Sequence, residues 1–171
     1  FLLRVADRLL SIHPDIYVIL AGAKGNFSIL ASDMAKREPR VKYCLNIQID
    51  KKPDFYHACD IFLAPTKEGH ACMGVSIKEA MACGKPVIAS ISGGIPEAIE
   101  DGINGYLIPF KDGELDEEIF FECASSLVND SSLRFNMGNK GREKVLQLFS
   151  NYQTTKQYLK IMEYFKKNKT K

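Results

Sequence analysis

The sequence lacks several features that would assign its function at once. Its 171 residues carry a formal net charge of only +2, which is too small to indicate nucleic acid as the main partner. No apolar run is long enough to cross a bilayer, so we expect at most a peripheral membrane association. The basic segment 165–171 is interpreted either as a solvated helix end or as an electrostatic contact with an anionic membrane surface.

The cysteines are too far apart for a metal site. No two of them have metal-ligand spacing, and an odd number does not complete a disulfide framework. Most lie in apolar segments, where cysteine behaves as a small hydrophobic residue. We therefore predict a reducing, cytosolic compartment and no bound metal. The five are Cys44, Cys59, Cys72, Cys83 and Cys123.

The composition, 46% hydrophobic and 26% charged, predicts one globular domain over residues 1–171. Helical and strand patterns alternate through most of the chain. Helices are expected at 1–13, 26–37, 54–59, 74–83, 96–100, 114–129, 131–148 and 151–167. Strands are expected at 17–21, 41–45, 60–64, 86–90 and 105–109.

This alternation predicts an α/β fold with a mostly parallel, doubly wound sheet that is covered by helices on both faces. Such a domain normally opens with a strand, whereas this sequence opens with a helix. We expect a fragment whose first strand is missing, although a native domain that starts with a helix is the alternative. In the strand order 3-2-1-4-5-6 the missing strand is central. Strands 17–21 and 60–64 should then flank a gap or pair with each other.

The most informative block is 65–109. A loop that ends at Gly74 leads into an expected helix that carries Glu79, and a strand and the pair Gly93-Gly94 follow. Glycines beside helix starts allow a backbone to approach a phosphate and offer it N–H groups. A carboxylate about one turn into such a helix can accept hydrogen bonds from ribose hydroxyls. The block therefore indicates a site for a nucleotide diphosphate.

Three runs in this region carry a family resemblance: DIFLAPT, EAMACGKPVIAS and GGIPEAIEDGINGYLIP. They resemble the C-terminal, donor-binding domain of family 4 glycosyltransferases, which are retaining enzymes with two facing Rossmann-like domains (the GT-B fold). The resemblance extends more loosely over nearly the whole chain. It implies a nucleotide-diphosphate sugar as donor, a carbohydrate or lipid-linked acceptor, an N-terminal domain of the same enzyme, and no metal or other cofactor.

The resemblance also implies roles for individual residues. Glu79 would hold the ribose hydroxyls, and backbone N–H groups of Gly74, Val75 and Ser76 would bind the diphosphate. Gly22 would lie in the nucleotide crevice at a strand end. Gly93 and Gly94 would allow the next loop to pass close to the strand ends.

Each role has a structural alternative. For Glu79 alone the alternative is a surface helix carboxylate, which the surrounding motif does not favour, and Gly93-Gly94 equally form a plain turn. For Gly102 and Gly105 the turn is the favoured interpretation. His13 and His57 are expected on helices with structural roles.

One departure from the family pattern concerns the contact with the donor sugar. A second glutamate is usual eight residues before Glu79, but position 71 is Ala. We predict Glu68 as the catalytic-side carboxylate that replaces it. Alternatively, His70 takes this function, or the contact is absent and the sugar preference differs.

A second departure concerns diphosphate neutralisation. The family's Arg and Lys for this purpose would lie upstream of Phe1.

Two other functions remain open: a nucleotide-sugar epimerase of the same architecture, and a non-catalytic nucleotide-binding or interaction domain. The donor crevice itself is predicted at the carboxyl ends of the strands, and the lining residues would be Gly22, Glu68, Gly74, Glu79 and Gly93.

Overall fold

The computed structural model describes residues 1–26, 28–67 and 74–168, and these form alternating helices and strands. The helices are α1 (Leu2–Ile12), α2 (Ser28–Arg37), α3 (Lys52–Ala58), α4 (Val75–Ala82), α5 (Ile95–Ala98), α6 (Glu117–Asn129), α7 (Ser131–Leu148) and α8 (Asn151–Asn168). The strands are β1 (Val18–Gly22), β2 (Val41–Leu45), β3 (Phe62–Ala64), β4 (Val87–Ser90), β5 (Tyr106–Ile108), β6 (Phe110–Lys111) and β7 (Glu114–Leu115).

Two parallel sheets make up the centre of the fold. Strand β1 pairs with β2, with Val18 opposite Val41. Strand β4 pairs on one side with β3 and on the other with β5. All four residues of β4 are buried, as expected for a strand covered on both faces. The predicted α/β class and the five predicted strands are confirmed.

Strands β1 and β3 do not pair with each other in the described part of the chain. They belong to separate sheets, in the orders β1-β2 and β3-β4-β5. Residues of both strands line one cavity of about 2140 Å³. The prediction that these two strands flank a gap is therefore confirmed, and the alternative that they pair is wrong.

Helix α1 shows why its sequence folds as predicted. Val5, Ala6, Leu9 and Leu10 repeat at helical spacing and are all buried. Val5 and Leu9 pack in one cluster with Ile88 of β4, whereas Ala6 and Leu10 pack in another cluster, toward β1 and β2. The helix thus contributes to the cores beside both sheets.

A β-hairpin stands where the sequence analysis predicts the start of a helix. The helix expected at 114–129 begins only at Glu117, after the antiparallel pair β6–β7. Asp112 and Gly113 have φ values of 54° and 80°, which is the backbone that a tight two-residue hairpin turn requires. Asp116 then caps α6, because its side chain accepts a hydrogen bond from the Ile119 N–H.

Turn chemistry explains the glycines near β5. Gly102 has a φ of 71°, and a Cβ on Gly105 would lie 2.8 Å from the Val87 carbonyl oxygen. Between them, buried Asn104 accepts a hydrogen bond from the Glu100 N–H and donates one to the Ala98 carbonyl. These contacts agree with the structural interpretation of this pair.

Helix α8 has no buried residue and exposes a mixture of lysines and large apolar side chains. In the described ranges, no helix combines the length and the apolar character that a bilayer span requires. The peripheral membrane contact stays a prediction.

Candidate functional site

The candidate site lies where β1 and β3 end. Strand β1 ends at Gly22, and β3 is followed directly by Pro65 and Thr66. Gly22 and Thr66 both line the cavity of about 2140 Å³, together with Lys52 of α3 and Ser76 of α4. The carboxyl ends of two parallel strands thus share one cavity with the first turns of two helices, which is where open parallel sheets bind ligands.

Helix α4 begins at a glycine in a left-handed conformation. Gly74 has a φ of 58°, a value that side-chain-bearing residues adopt only with strain. Val75 and Ser76 form the first turn and are exposed. Since the first N–H groups of a helix have no partner within it, this turn presents donors and a positive dipole end to an anion.

Glu79 lies about one turn into α4 and is connected to α3. Its carboxylate Oε2 accepts a hydrogen bond from the Tyr56 hydroxyl at 2.7 Å. The Lys52 ammonium lies 3.1 Å from Oε1 and 3.2 Å from Oε2. The Glu79 side chain is 34% exposed. The carboxylate is thus oriented by two partners, which a plain surface helix carboxylate would not require.

Tyr56 itself is held firmly. Its side chain is buried, and its ring makes edge-on contacts with Phe55 and Phe62 at centroid distances of 5.4 and 5.5 Å. Burial raises the pKa of the Tyr56 hydroxyl well above its usual value, and the neighbouring Glu79 carboxylate raises that pKa further. The hydroxyl therefore stays a proton donor to Glu79 at physiological pH.

Lys52 and Tyr56 are functional candidates that the sequence analysis missed. The predicted helix at 54–59 begins earlier, at Lys52, and follows a 3₁₀ turn at Ile49–Lys51. The four-residue spacing of Lys52 and Tyr56 places both on one face of that helix. That spacing is visible in the sequence, but the partner on α4 is not.

Two buried serines hold the loop that follows β3. Ser90 at the end of β4 accepts a hydrogen bond from the Thr66 N–H at 2.7 Å and donates one to the Thr66 carbonyl at 3.0 Å. Ser92 donates to the Lys67 carbonyl at 3.2 Å. These bonds fix the start of the β3–α4 loop beside the cavity, and the sequence analysis did not single out either serine.

Gly93 and Gly94 form the turn before α5. Gly93 has a φ of 51°, and the Ile95 N–H donates to the Ser92 carbonyl across this turn. Neither glycine is among the described residues that line the cavity. This geometry accounts for the pair by turn chemistry, and their proposed role near the donor stays a prediction.

Three further predictions concern the sugar-contact residues, a metal site and His13. Glu68, His70 and Ala71 lie outside the described residues. Among residues 1–26, 28–67 and 74–168, no three His, Cys, Asp or Glu side chains come together as a metal site. His13 contacts the Ser125 hydroxyl at 3.3 Å, in agreement with a structural role.

Known proteins resemble the chain in sequence and in structure. It is 40% identical over 87 residues to N-acetyl-alpha-D-glucosaminyl L-malate synthase of Bacillus anthracis, a match that covers 50% of this chain and 21% of that protein. It is 30% identical over 146 residues to D-inositol 3-phosphate glycosyltransferase of Corynebacterium jeikeium, which covers 80% of this chain and 33% of that protein. The chain therefore spans a third or less of the length of these relatives.

The fold of the chain matches a crystal structure of HepE from Anabaena in complex with UDP and glucose. The TM-score is 0.71 at 26% identity, and the match covers 93% of this chain and 43% of that one. The model of the family "Glycosyl transferases group 1" matches residues 1–144 of this sequence. This match spans α1 to most of α7 and includes both parallel sheets and the cavity between their strands. The chain therefore belongs to the group 1 family of glycosyltransferases.

Proposed function

We propose that the protein transfers a sugar from a nucleotide-diphosphate sugar to a hydroxyl acceptor with retention at the anomeric carbon, and that this chain binds the donor. The observation that carries the proposal is the arrangement on α4. An oriented carboxylate, Glu79, follows a helix start that is open to solvent and begins at left-handed Gly74. Ser76 of this helix start lines the cavity at the ends of β1 and β3.

The dimensions of α4 suit a nucleoside diphosphate. From Val75 to Glu79 the helix rises by about 6 Å, at about 1.5 Å per residue. That distance is of the order of the separation between the phosphates and the ribose hydroxyls of such a ligand. The diphosphate would bind the N–H groups of the first turn, and the ribose hydroxyls would donate to Glu79.

Charge on the leaving diphosphate is the main quantity that the enzyme must stabilise. Lys52 and Lys67 both line the cavity and bring positive charge to it. We propose that these lysines contribute to this stabilisation and that the protein needs no metal or further cofactor.

The reaction would be a displacement on one face of the sugar. The bond between the anomeric carbon and the diphosphate oxygen breaks as the acceptor oxygen attacks from the same side. The acceptor proton passes to an oxygen of the departing diphosphate, so no protein nucleophile is needed. Glu68 would contact the donor sugar, and an N-terminal domain of the same enzyme would hold a carbohydrate or lipid-linked acceptor.

The relatives support the donor and the reaction class. The family model describes glycosyl transferases, which does not favour the epimerase alternative. The HepE structure holds UDP and glucose, so a uridine nucleotide is the first donor to test. We propose a cytosolic protein, with the acceptor brought to it in solution or at a membrane surface.

An assay of the intact protein with UDP-glucose, GDP-mannose and ADP-glucose tests this function. Incubation with carbohydrate acceptors should release the nucleoside diphosphate and form a product whose anomeric configuration, read by proton NMR, equals that of the donor. Inverted product would overturn the retaining mechanism. Interconversion of donor sugars without transfer would identify an epimerase. Nucleotide binding without turnover would identify a non-catalytic domain.

A further inference from the structure

The contact between Tyr56 and Glu79 links two helices beside the candidate ribose site. The hydroxyl of Tyr56 on α3 reaches Oε2 of Glu79 on α4 at 2.7 Å. A hydrogen bond of this length to a carboxylate is charge-assisted and stronger than a neutral one. It fixes the rotation of the carboxylate about its last side-chain bond.

The tyrosine ring cannot move freely to follow the carboxylate. It is 5% exposed and packs in one apolar cluster with Ile77 and Met81. It also makes edge-on contacts with the rings of Phe55 and Phe62. The position of Oε2 is therefore imposed by the core of the domain and not by the exposed surface.

Lys52 forms an ion pair with the same carboxylate. Its ammonium lies 3.1 Å from Oε1, its side chain is 38% exposed, and it lines the cavity. Partly exposed lysine ion pairs contribute little to stability, so this contact can open at low cost. The carboxylate is thus held at Oε2 by a rigid donor, Tyr56, and at both oxygens by a donor that can move away, Lys52.

We propose that Tyr56 is a positioning residue that presents Glu79 to the ribose of the donor nucleotide, while Lys52 forms an ion pair with Glu79 in the ligand-free protein and moves away when the ribose binds. This inference rests on the proposed function. The rigid hydrogen bond pre-orders the carboxylate, so that ribose hydroxyls meet it without a further loss of rotational freedom. Without the bond, the carboxylate must be ordered again each time a nucleotide binds.

Discrimination between ribose and deoxyribose separates this role from a purely structural one. Isothermal titration calorimetry on the intact protein would first identify the best ligand among UDP, GDP and ADP, and would then compare it with its 2′-deoxy counterpart. Wild type should prefer the ribonucleotide, and Glu79→Gln should lose most of that preference. Tyr56→Phe should weaken ribonucleotide binding about tenfold and deoxynucleotide binding much less.

A matched control removes packing from the same cluster without touching the carboxylate. Val145→Ala is suitable, because Val145 is buried in the cluster that holds Tyr56 but lies on α7. This variant should lower Tm while it keeps the wild-type preference for ribose. The same behaviour in Tyr56→Phe would mean that the Tyr56 bond only ties α3 to α4.

The outcomes for the two hypotheses are distinct. If wild type discriminates and Glu79→Gln does not, but Tyr56→Phe retains the full preference, only the positioning role is overturned. If wild type binds both nucleotides equally, or binds none of the three nucleoside diphosphates, the proposed donor site and the positioning role are overturned together.

Discussion

Replacement of Gly138 by alanine should destabilise the protein, although alanine is the better helix former. Gly138 is buried in α7, and a Cβ at this position would lie 2.0 Å from the carbonyl oxygen of Gly84. That oxygen belongs to the turn just after α4, and Gly84 has a φ of 72°. The neighbour is backbone in a left-handed conformation, so it cannot rotate away as a flexible side chain could.

The expected magnitude follows from two opposing effects. Glycine to alanine inside a helix gains about 1 kcal/mol of helix propensity. Overpacking costs typically about 1–3 kcal/mol, and a contact more than 1 Å too short belongs at or above the upper end of that range. We expect a net loss of about 2 kcal/mol, which for a domain of this size lowers Tm by about 4–8 °C.

Differential scanning calorimetry on the intact protein measures this loss. Asn139→Ala is the matched control, because Asn139 is the next residue of α7 and is exposed. It should be neutral or slightly stabilising by propensity alone. A Gly138→Ala variant as stable as wild type would show that α7 does not pack on the Gly84 turn as described.

Three further predictions concern other parts of the fold. Asn104→Ala should cost roughly 2–3 kcal/mol in urea denaturation, because the Glu100 N–H and the Ala98 carbonyl lose their partner; a loss under 0.5 kcal/mol would contradict this. Burial raises the pKa of the Cys123 thiol to about 11, so its alkylation at pH 8 should be about 100-fold slower in folded than in urea-unfolded protein, and equal rates would refute the burial. Residues 1–171 alone should melt without cooperativity, since β1 and β3 each leave an edge unpaired within the described chain; a cooperative transition at an ordinary temperature would contradict a destabilising effect of these open edges.

The parallel strands were predictable because each combines an apolar run with flanking turn residues. Val87–Ser90, for example, is bounded by Pro86 on one side and by the Gly93-Gly94 turn on the other. The gap between β1 and β3 was predictable from the general strand order of doubly wound sheets. The strands follow from a local sequence pattern and the gap follows from a general rule of topology, and a single sequence is enough to apply both.

The β6–β7 hairpin was missed because the acidic residues after Gly113 resemble a helix start. The Asp112-Gly113 pair was the signal that could have found it, since these residue types suit a two-residue turn with positive φ. The helix then begins at Glu117, after the cap at Asp116. Here turn chemistry outweighed helix propensity.

The partners of Glu79 could not be predicted from the sequence. Lys52 and Tyr56 precede Glu79 by 27 and 23 residues, and they meet it only because α3 packs beside α4. No local pattern encodes such a contact between helices. The family resemblance predicted a role for this carboxylate, and the structure adds the two groups that contact it.

The central claim is that α4, from its first turn to Glu79, holds the donor nucleotide, and the donor affinity of Glu79→Gln tests it most directly. In the intact protein, titration with the best-binding nucleoside diphosphate should give an affinity roughly 10- to 150-fold below wild type, because a charge-assisted hydrogen bond is worth about 1.5–3 kcal/mol. Glu68→Gln should weaken binding much less, and Glu143→Gln, an exposed position on α7, should leave it unchanged. Equal affinities of wild type and Glu79→Gln would contradict the account.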